Sequence, residues 1–158
     1  MNRRLVVCVT AGATVLGLAI PATAGAPVGQ YDTYNQFNTT ITDSKTHLQW
    51  ERGFATSTSW DDANARCRAL ILSGVGPNQW RLPSVKELLT LVDEQGEIEY
   101  VVDHLENYAI DRNAFPHTPN ASFWSWPKVA GSAWSVDFST GSAVQAPTSN
   151  GFYVRCVR

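Results

Sequence analysis

The cysteines are the residues of this sequence with the most reactive side chains. There are three, at positions 8, 67 and 156. Cys8 lies in an N-terminal segment that we expect to be removed, which leaves Cys67 and Cys156. A redox-active pair is typically spaced as Cys-x-x-Cys, whereas these two are far apart in the chain. An even pair in an exported protein instead predicts a structural disulfide, which typically stabilises a protein by about 2–4 kcal/mol.

The other residue types that carry catalysis show no pattern typical of a site. His47, His104 and His117 are scattered, without the spacing of a zinc site. No serine lies in a Gly-x-Ser-x-Gly motif, and no glycine-rich loop is suited to hold a phosphate. We therefore expect no catalytic residues, no metal and no cofactor.

Length and composition limit the classes of protein to consider. The chain has 158 residues, 44% hydrophobic, 16% charged and 11% aromatic, with a net charge of −2. That length fits one domain, and the composition is typical of an ordered globular chain. No excess of basic residues is available to neutralise phosphates, which excludes nucleic acid as the main partner.

The N-terminus has the pattern of a secretory signal. Two arginines precede an apolar run over residues 5–20, and Ala22-Thr23-Ala24 then gives the small-x-small pattern of a cleavage site, after Ala24 or Ala26. A membrane anchor is the alternative, but a spanning helix needs about 20 apolar residues. We expect an exported protein, in the periplasm or the medium, with no membrane span after cleavage. Its ten basic and fourteen acidic residues would give a net charge of −4.

The first half of the mature chain predicts a β-hairpin and then a helix. Hydrophobic and polar residues alternate from Phe37 to Trp50 around a turn at residues 43–46. A helix begins after Ser59 and ends at Gly74. Its apolar residues recur at helical spacing and predict one buried stripe of Trp60, Ala63, Cys67, Leu70 and Ile71.

Two further helices are predicted before residue 110. Ser84 and Glu87 form a capping box, in which each side chain accepts from a backbone amide of the other residue, and Gly96 is a suitable stop for that helix. A third helix is predicted over residues 94–109, because apolar residues recur there at helical spacing, at Ile98, Val101, Val102, Leu105 and Tyr108.

The last third of the chain predicts antiparallel strands. Prolines at 116, 119 and 127 exclude long helices there. Strands are predicted at residues 123–126, 133–138, 143–146 and 152–157, with a hairpin turn at residues 139–142. A hairpin, two or three helices and then strands indicate an α+β fold.

The sequence resembles the Lcl C-terminal domain family, a domain of unknown function, over nearly all of residues 38–158. The blocks that carry the resemblance are Ile41-Thr42-Asp43, Leu48-Gln49-Trp50, Trp60 to Ala63 with Cys67, Trp80-Arg81-Leu82-Pro83-Ser84 with Lys86-Glu87-Leu88, Ile110-Asp111 with Phe115-Pro116, Phe123-Trp124-Ser125, Ala133-Trp134 with Asp137-Phe138 and Gly141, and Tyr153 to Arg158. Trp126, where the family usually has serine, and an enlarged connection at residues 94–109 depart from the pattern.

The resemblance implies a C-type-lectin-like fold related to the sulfatase-modifying factors. In that fold a cysteine on the first helix is bonded to the last strand, and the N- and C-terminal strands pair. The implied organisation is a signal peptide at 1–24, a leader at 25–36 and the domain at 37–158. Formylglycine-generating relatives use a cysteine pair to bind copper, so an oxidoreductase-type modification factor is the alternative function. A calcium-dependent lectin site would need ligands that the segment from Trp134 to Asp137 lacks.

The resemblance implies a non-catalytic binding or adhesion module, because some relatives are attached to surface adhesins that engage sulfated polysaccharides. A glycan or an envelope or surface protein is the expected partner, and a structural subunit of an envelope assembly is a further alternative. The expected binding surface is the irregular region from Asp103 to Lys128, with Asp103, Asn107, His117, Asn120, Trp126 and Lys128 as its candidate residues.

The remaining side chains of the motifs have structural interpretations. Trp124 and Trp134 are expected in the core, which leaves Trp126 as the tryptophan available for stacking on a sugar ring. Arg81 is a possible ligand anchor, but such an arginine more often pairs with a carboxylate, here Asp137 or Glu87. Arg155 is expected to pair similarly. The residues given structural roles are Trp80, Arg81, Glu87, Trp124, Trp134 and Arg155.

Overall fold

The computed structural model describes residues 26–32, 38–56, 59–101 and 103–158. The predicted signal peptide, Cys8 and the predicted start of the first strand at Phe37 lie outside these residues. Strands predominate, with two helices among the described residues, which agrees with the predicted α+β class. In chain order the elements are β1 (Thr40–Thr42), β2 (Gln49–Glu51), β3 (Ala55–Thr56), α1 (Trp60–Ala69), α2 (Val85–Leu89), β4 (Val92–Val101), β5 (His104–Ile110), β6 (Ser122–Val129), β7 (Ser132–Asp137), β8 (Ser142–Pro147) and β9 (Tyr153–Val154). Neither helix in this part of the chain has the length and apolar character needed to cross a bilayer.

The main sheet has five strands in the order β3-β9-β6-β7-β8. Strands β6 and β9 run parallel, and the other neighbouring pairs are antiparallel. The predicted N-terminal hairpin is β1–β2, in which Thr40 is opposite Glu51. A bridge between Trp50 and Val157 places this hairpin beside the end of the chain.

The buried residues form two clusters that the main sheet separates. Alternation along β6 turns Phe123 toward the cluster that contains Leu88 of α2, and Trp124 toward the cluster that contains Cys67 of α1. Trp124, which was expected in the core, is fully buried, and so is Trp80. Trp134, which was also expected in the core, is 43% exposed.

Helix α1 has the predicted start and a shorter length. The Ser59 side chain accepts from the Asp62 amide, and Trp60, Ala63 and Cys67 are buried. The prediction that the helix reaches Gly74 is wrong, because Leu70 is already extended, with ψ 129°. The chain therefore leaves the helix direction before Ile71, whose side chain is 69% exposed instead of buried.

The predicted disulfide is confirmed. Cys67 on α1 and Cys156, two residues after β9, are bonded and fully buried. The covalent bond ties the first helix to the end of the chain across the second cluster.

Helix α2 has the predicted capping box but is a short helix. Ser84 Oγ accepts from the Glu87 amide at 3.2 Å, and the Glu87 carboxylate accepts from the Ser84 amide at 2.7 Å. The helix ends at Leu89 with Thr90 as its C-cap, so Gly96 is not its stop. Gly96 instead lies in β4, where a Cβ atom would come within 2.3 Å of the Tyr108 carbonyl oxygen.

The third predicted helix is wrong, because residues 92–110 form a β-hairpin, here called the arm. Strands β4 and β5 pair with each other in a separate two-stranded sheet, with an irregular register between Val92 and Glu97. The segment from Glu97 to Tyr100 alternates charged and apolar residues, and this period of two is typical of a strand and not of a helix. Its β-branched and aromatic residues also favour a strand.

Candidate functional site

A small cleft lies where β6 leaves the core. Ser125 is buried, whereas the next residue, Trp126, is 46% exposed. The cleft has a volume of about 120 Å³ and is lined by Asn64, Arg68, Arg81, Leu82 and Trp126. We call it the Trp126 cleft. It is smaller than the roughly 300–1,000 Å³ typical of enclosed sites for larger ligands, so it suits one flat group held against its wall.

The Trp126 side chain is held by backbone and ring contacts. Its amide donates to the Pro83 carbonyl oxygen at 2.7 Å. Its ring lies 5.4 Å from the buried Trp60 ring, with a tilt of 33°. Trp60 is in turn fixed by its Nε1, which donates to the Ser125 carbonyl oxygen at 2.8 Å. The exposed indole therefore rests on the rigid core and does not stand alone.

Arg81 at the wall of the cleft is paired with Glu87, one of the two partners predicted for it. Two guanidinium nitrogens donate to the two carboxylate oxygens at 2.7 and 2.8 Å. This hydrogen bonding lowers the pKa of Glu87 and raises that of Arg81. The pair fixes the position of the guanidinium beside the capping box of α2.

The remaining cations near the cleft differ in their partners. Lys128 Nζ lies 2.5 Å from an Asp61 carboxylate oxygen and 5.0 Å from the centre of the Trp60 ring. Arg68 lines the cleft itself, and no carboxylate among the described residues forms an ion pair with it. Arg68 therefore keeps its hydrogen-bond donors available to a bound anion.

This arrangement combines an exposed aromatic face with polar groups at its rim. An indole face packs against flat apolar surfaces such as the C–H face of a sugar ring. The Asn64 amide both donates and accepts, and Arg68 and Arg81 donate several N–H groups each. Such groups can bind the hydroxyl or anionic substituents at the edge of a ring that stacks on Trp126.

The other predicted binding residues do not gather around this cleft. The region from Asp103 to Lys128 is not one irregular loop, because β5 and nearly all of β6 lie within it. Asp103 is exposed in the turn of the arm, and Asn107 in β5 donates from Nδ2 to the Ser139 carbonyl oxygen. Asn120 is half-buried in the connection between β5 and β6.

His117 lies at a second, larger hollow of about 490 Å³. The charged groups that line it are used inside the protein. Glu51 accepts from Arg66 Nη1 at 2.8 Å and from the Cys156 amide at 3.1 Å, and Arg52 donates to the Ala114 carbonyl oxygen. These engaged groups make the hollow a weaker candidate than the Trp126 cleft.

Arg155 does not have the predicted carboxylate partner. It is fully buried and donates to the Gly53 carbonyl oxygen at 3.0 Å and to Thr118 Oγ1 at 2.7 Å. Its guanidinium also lies 4.5 Å from the centre of the Phe115 ring. Burial lowers the pKa of Arg155 to about 9. The side chain joins three segments of the core and is not part of a surface site.

Asn64 and Arg68 line the cleft but were not among the binding residues predicted from the sequence. They follow Trp60 at intervals of four residues along α1, so all three lie on one side of that helix. This spacing shows that the three residues share a side of α1. It indicates a site only once the structure shows that β6 brings Trp126 to the same side. No group of three or more His, Cys, Asp or Glu side chains suited to a metal occurs in the described part of the chain.

The fold and the cleft define a small domain in which a disulfide joins the first helix to the end of the chain, with an exposed tryptophan beside it. The family model of the Lcl C-terminal domain matches residues 39–158. The chain therefore belongs to the Lcl C-terminal domain family. No curated protein matches the sequence.

Proposed function

We propose that the protein is a non-catalytic binding module whose ligand is a carbohydrate, held in the Trp126 cleft. The observation that carries this proposal is the half-exposed Trp126 ring, fixed on Trp60 and bordered by Asn64, Arg68 and Arg81. Exposure of the large apolar Trp126 side chain to water is unfavourable in free energy. A sugar ring that covers the indole removes this surface from water, which favours binding.

The charges near the cleft favour a sugar with an anionic substituent. Arg81 and Lys128 are each paired with a carboxylate, whereas Arg68 has no carboxylate partner among the residues that the structure describes. A carboxylate or sulfate group on the ligand would pair with Arg68 in two parallel hydrogen bonds. The net negative charge of the chain does not oppose this, because six of the fourteen acidic residues lie in the arm.

We further propose that the fold is C-type-lectin-like. Three features support this assignment. Cys67 on the first helix is bonded to Cys156 near the end of the chain. The N-terminal hairpin is bridged to the C-terminal segment at Trp50 and Val157. Strand β3 pairs with the last strand, β9.

The disulfide also bears on the competing hypothesis of an oxidoreductase-type modification factor. That chemistry needs two thiolates to hold copper, and Cys67 and Cys156 are bonded to each other and fully buried. Thiol titration of the native protein with copper analysis separates the binding module from the modification factor, since two reactive thiols and bound copper would support the enzyme.

The disulfide and the predicted signal peptide together support export to the periplasm or the medium.

The binding proposal is tested with the purified protein on an array of neutral, uronate-containing and sulfated oligosaccharides. Trp126→Ala should reduce binding by at least about tenfold, because it removes the stacking surface. Trp134→Ala is the matched control, since Trp134 is exposed to nearly the same extent but does not line the cleft. Arg68→Gln should weaken anionic sugars more than neutral ones.

Two results would contradict this proposal. One is binding that Trp126→Ala leaves unchanged while His117→Ala abolishes it, which would place the site in the larger hollow. The other is the absence of any sugar binding by the native protein. A melting temperature measured for each variant shows whether a loss of binding comes from unfolding, and Arg68→Gln tests the cleft without touching the Trp60 contact.

A further inference from the structure

The arm differs from the rest of the chain in its charge. Residues 92–110 contain six acidic side chains and no lysine or arginine, and the six are Asp93, Glu94, Glu97, Glu99, Asp103 and Glu106. All twelve lysines and arginines of the chain lie elsewhere. The arm therefore carries a concentrated negative charge, whereas the rest of the chain has no excess of acidic residues.

The register of the arm sorts its side chains onto two faces. Tyr100 is opposite Leu105 and Ile98 is opposite Asn107, so these side chains share one face. Ile98, Tyr100 and Leu105 are each about two-thirds exposed. Glu99 is opposite Glu106, on the other face. One face of the arm thus carries three exposed apolar side chains beside Asn107, which is hydrogen-bonded to Ser139, and the other face is acidic.

The base of the arm is anchored to the body. The Arg112 guanidinium lies 2.8 Å from Glu99, 3.4 Å from Glu97 and 4.1 Å from the centre of the Tyr108 ring. On the β5 side, the Ala109 amide donates to the Phe138 carbonyl oxygen at 2.7 Å. The arm is therefore held in a set orientation before any partner binds, which reduces the entropy lost on binding.

The outer edge of β4 is open. Within the described residues, the backbone of residues 97–101 pairs with β5 alone. An open edge carries unpaired N–H and C=O groups that can accept another strand. A two-stranded sheet is only marginally stable by itself in water, so a third strand would also stabilise the arm.

The charge of the arm determines which kind of binding partner is favoured. A second copy of the chain would bring six acidic residues against six, which is repulsive. An anionic lipid surface and a nucleic acid are disfavoured for the same reason. A cationic segment would be attracted to the acidic face and could cover the apolar one.

We propose that the arm is a docking strand for another protein, which adds an extended segment along β4. In that segment lysine or arginine alternates with apolar residues. A third strand of this pattern places its apolar side chains beside Ile98 and Tyr100. Its cations lie beside Glu97 and Glu99, two carboxylates that share the single cation Arg112. The surface is separate from the Trp126 cleft and does not depend on the carbohydrate proposal.

The test uses two short peptides of identical composition, one with alternating lysine and leucine and one with the lysines and leucines in separate blocks. Fluorescence anisotropy of the labelled peptides measures binding to the full protein. The alternating peptide should bind at least about tenfold more tightly than the block peptide, because only alternation satisfies both faces of a strand. Higher salt should weaken it.

Variants locate the binding strand. Tyr100→Thr should reduce binding of the alternating peptide by at least about tenfold, through loss of apolar contact. Val144→Thr is the matched control, because Val144 is 49% exposed on β8, which is one of the two edge strands of the main sheet. Trp126→Ala should leave peptide binding unchanged, which separates this surface from the carbohydrate site.

Four outcomes would overturn the proposal. Equal affinity for the two peptides would show attraction by charge alone, and loss of binding in Val144→Thr but not in Tyr100→Thr would place the peptide on β8. A dimer in analytical ultracentrifugation that Tyr100→Thr dissociates, without peptide binding, would assign the arm to a second copy. Co-sedimentation with phosphatidylcholine vesicles that Tyr100→Thr abolishes would assign it to a lipid surface.

Discussion

Removal of the disulfide should cost this domain a third or more of its stability. The change is the double substitution Cys67→Ala and Cys156→Ala, which keeps both sites small and apolar. The bond joins residues 89 positions apart, and a loop of that length corresponds to about 4.6 kcal/mol of lost chain entropy in the unfolded state at 25 °C. Domains of this kind have a total stability of about 5–15 kcal/mol, so the variant should be at the edge of folding.

The assay is urea denaturation followed by tryptophan fluorescence, with the free energy of unfolding extrapolated to water. The Cys156→Ala substitution also removes an acceptor, because Arg66 Nη1 lies 2.9 Å from Cys156 Sγ. Wild-type protein unfolded in a reducing agent is the control. It keeps both sulfur atoms and should lose nearly the same free energy if the cross-link, and not the packing of sulfur, is the source of the stability.

The reasoning would be refuted by a loss of less than about 1 kcal/mol, which would mean that the bond constrains little of the unfolded chain. Two titratable thiols in the native protein would refute it more directly. That result would also restore the oxidoreductase hypothesis, because the sulfur atoms would then be available for chemistry.

Two further predictions concern the charged side chains. Glu87→Gln should lower the free energy of unfolding by about 1 kcal/mol at neutral pH, because it removes the pairing with Arg81 while glutamine can still complete the capping box. The folded pKa of Glu87 is lowered below 4.5, so its contribution is full above that pH and is lost as the pH falls through the folded value; urea unfolding should show the two proteins converging in acid, and a constant difference would contradict this. Arg155→Lys should cost about 3 kcal/mol in the same assay, because the ammonium group stays buried without the bonds to Gly53 and Thr118. Arg155→Met, which buries no charge, should cost less, and the reverse order would contradict the account.

The two helices and the disulfide were predictable because their signals are local or chemical. Ser59 and Ser84 each cap a helix with a side-chain oxygen, and this interaction needs only the neighbouring residues. Cys67 falls on the buried side of α1 by spacing alone. Such features do not depend on the rest of the fold.

The arm could not be predicted in the same way, because Ile98, Val101 and Leu105 fit both a helix and a strand. A helix is stabilised mainly by burying one face, and the side chains of Ile98 and Leu105 are about two-thirds exposed, so burial does not favour a helix here. Trp134 shows a different limit. Alternation with Val136 predicts the face of the sheet on which Trp134 lies. It does not predict that Trp134 lies beyond the part of that face that is buried.

Only some residues of the candidate site were predictable from the sequence. Trp126, Lys128 and Arg81 were each identified from the sequence, the first as a departure from the family pattern. Asn64 and Arg68 were not, because their role depends on the packing of α1 against β6, which no local pattern contains. The residues from the arm that were grouped with Trp126 belong to a different surface.

The position of the disulfide has a mechanical consequence. If the domain is pulled by its two ends, tension that enters through β1 reaches Cys67, crosses to Cys156 and leaves through Arg158. Residues 68–155 are bypassed by that covalent route. The whole arm lies within the bypassed segment, whereas Trp60 and Asn64 of the Trp126 cleft lie on the loaded route. The arm would therefore keep its shape under forces that pull the N-terminal hairpin away from the end of the chain.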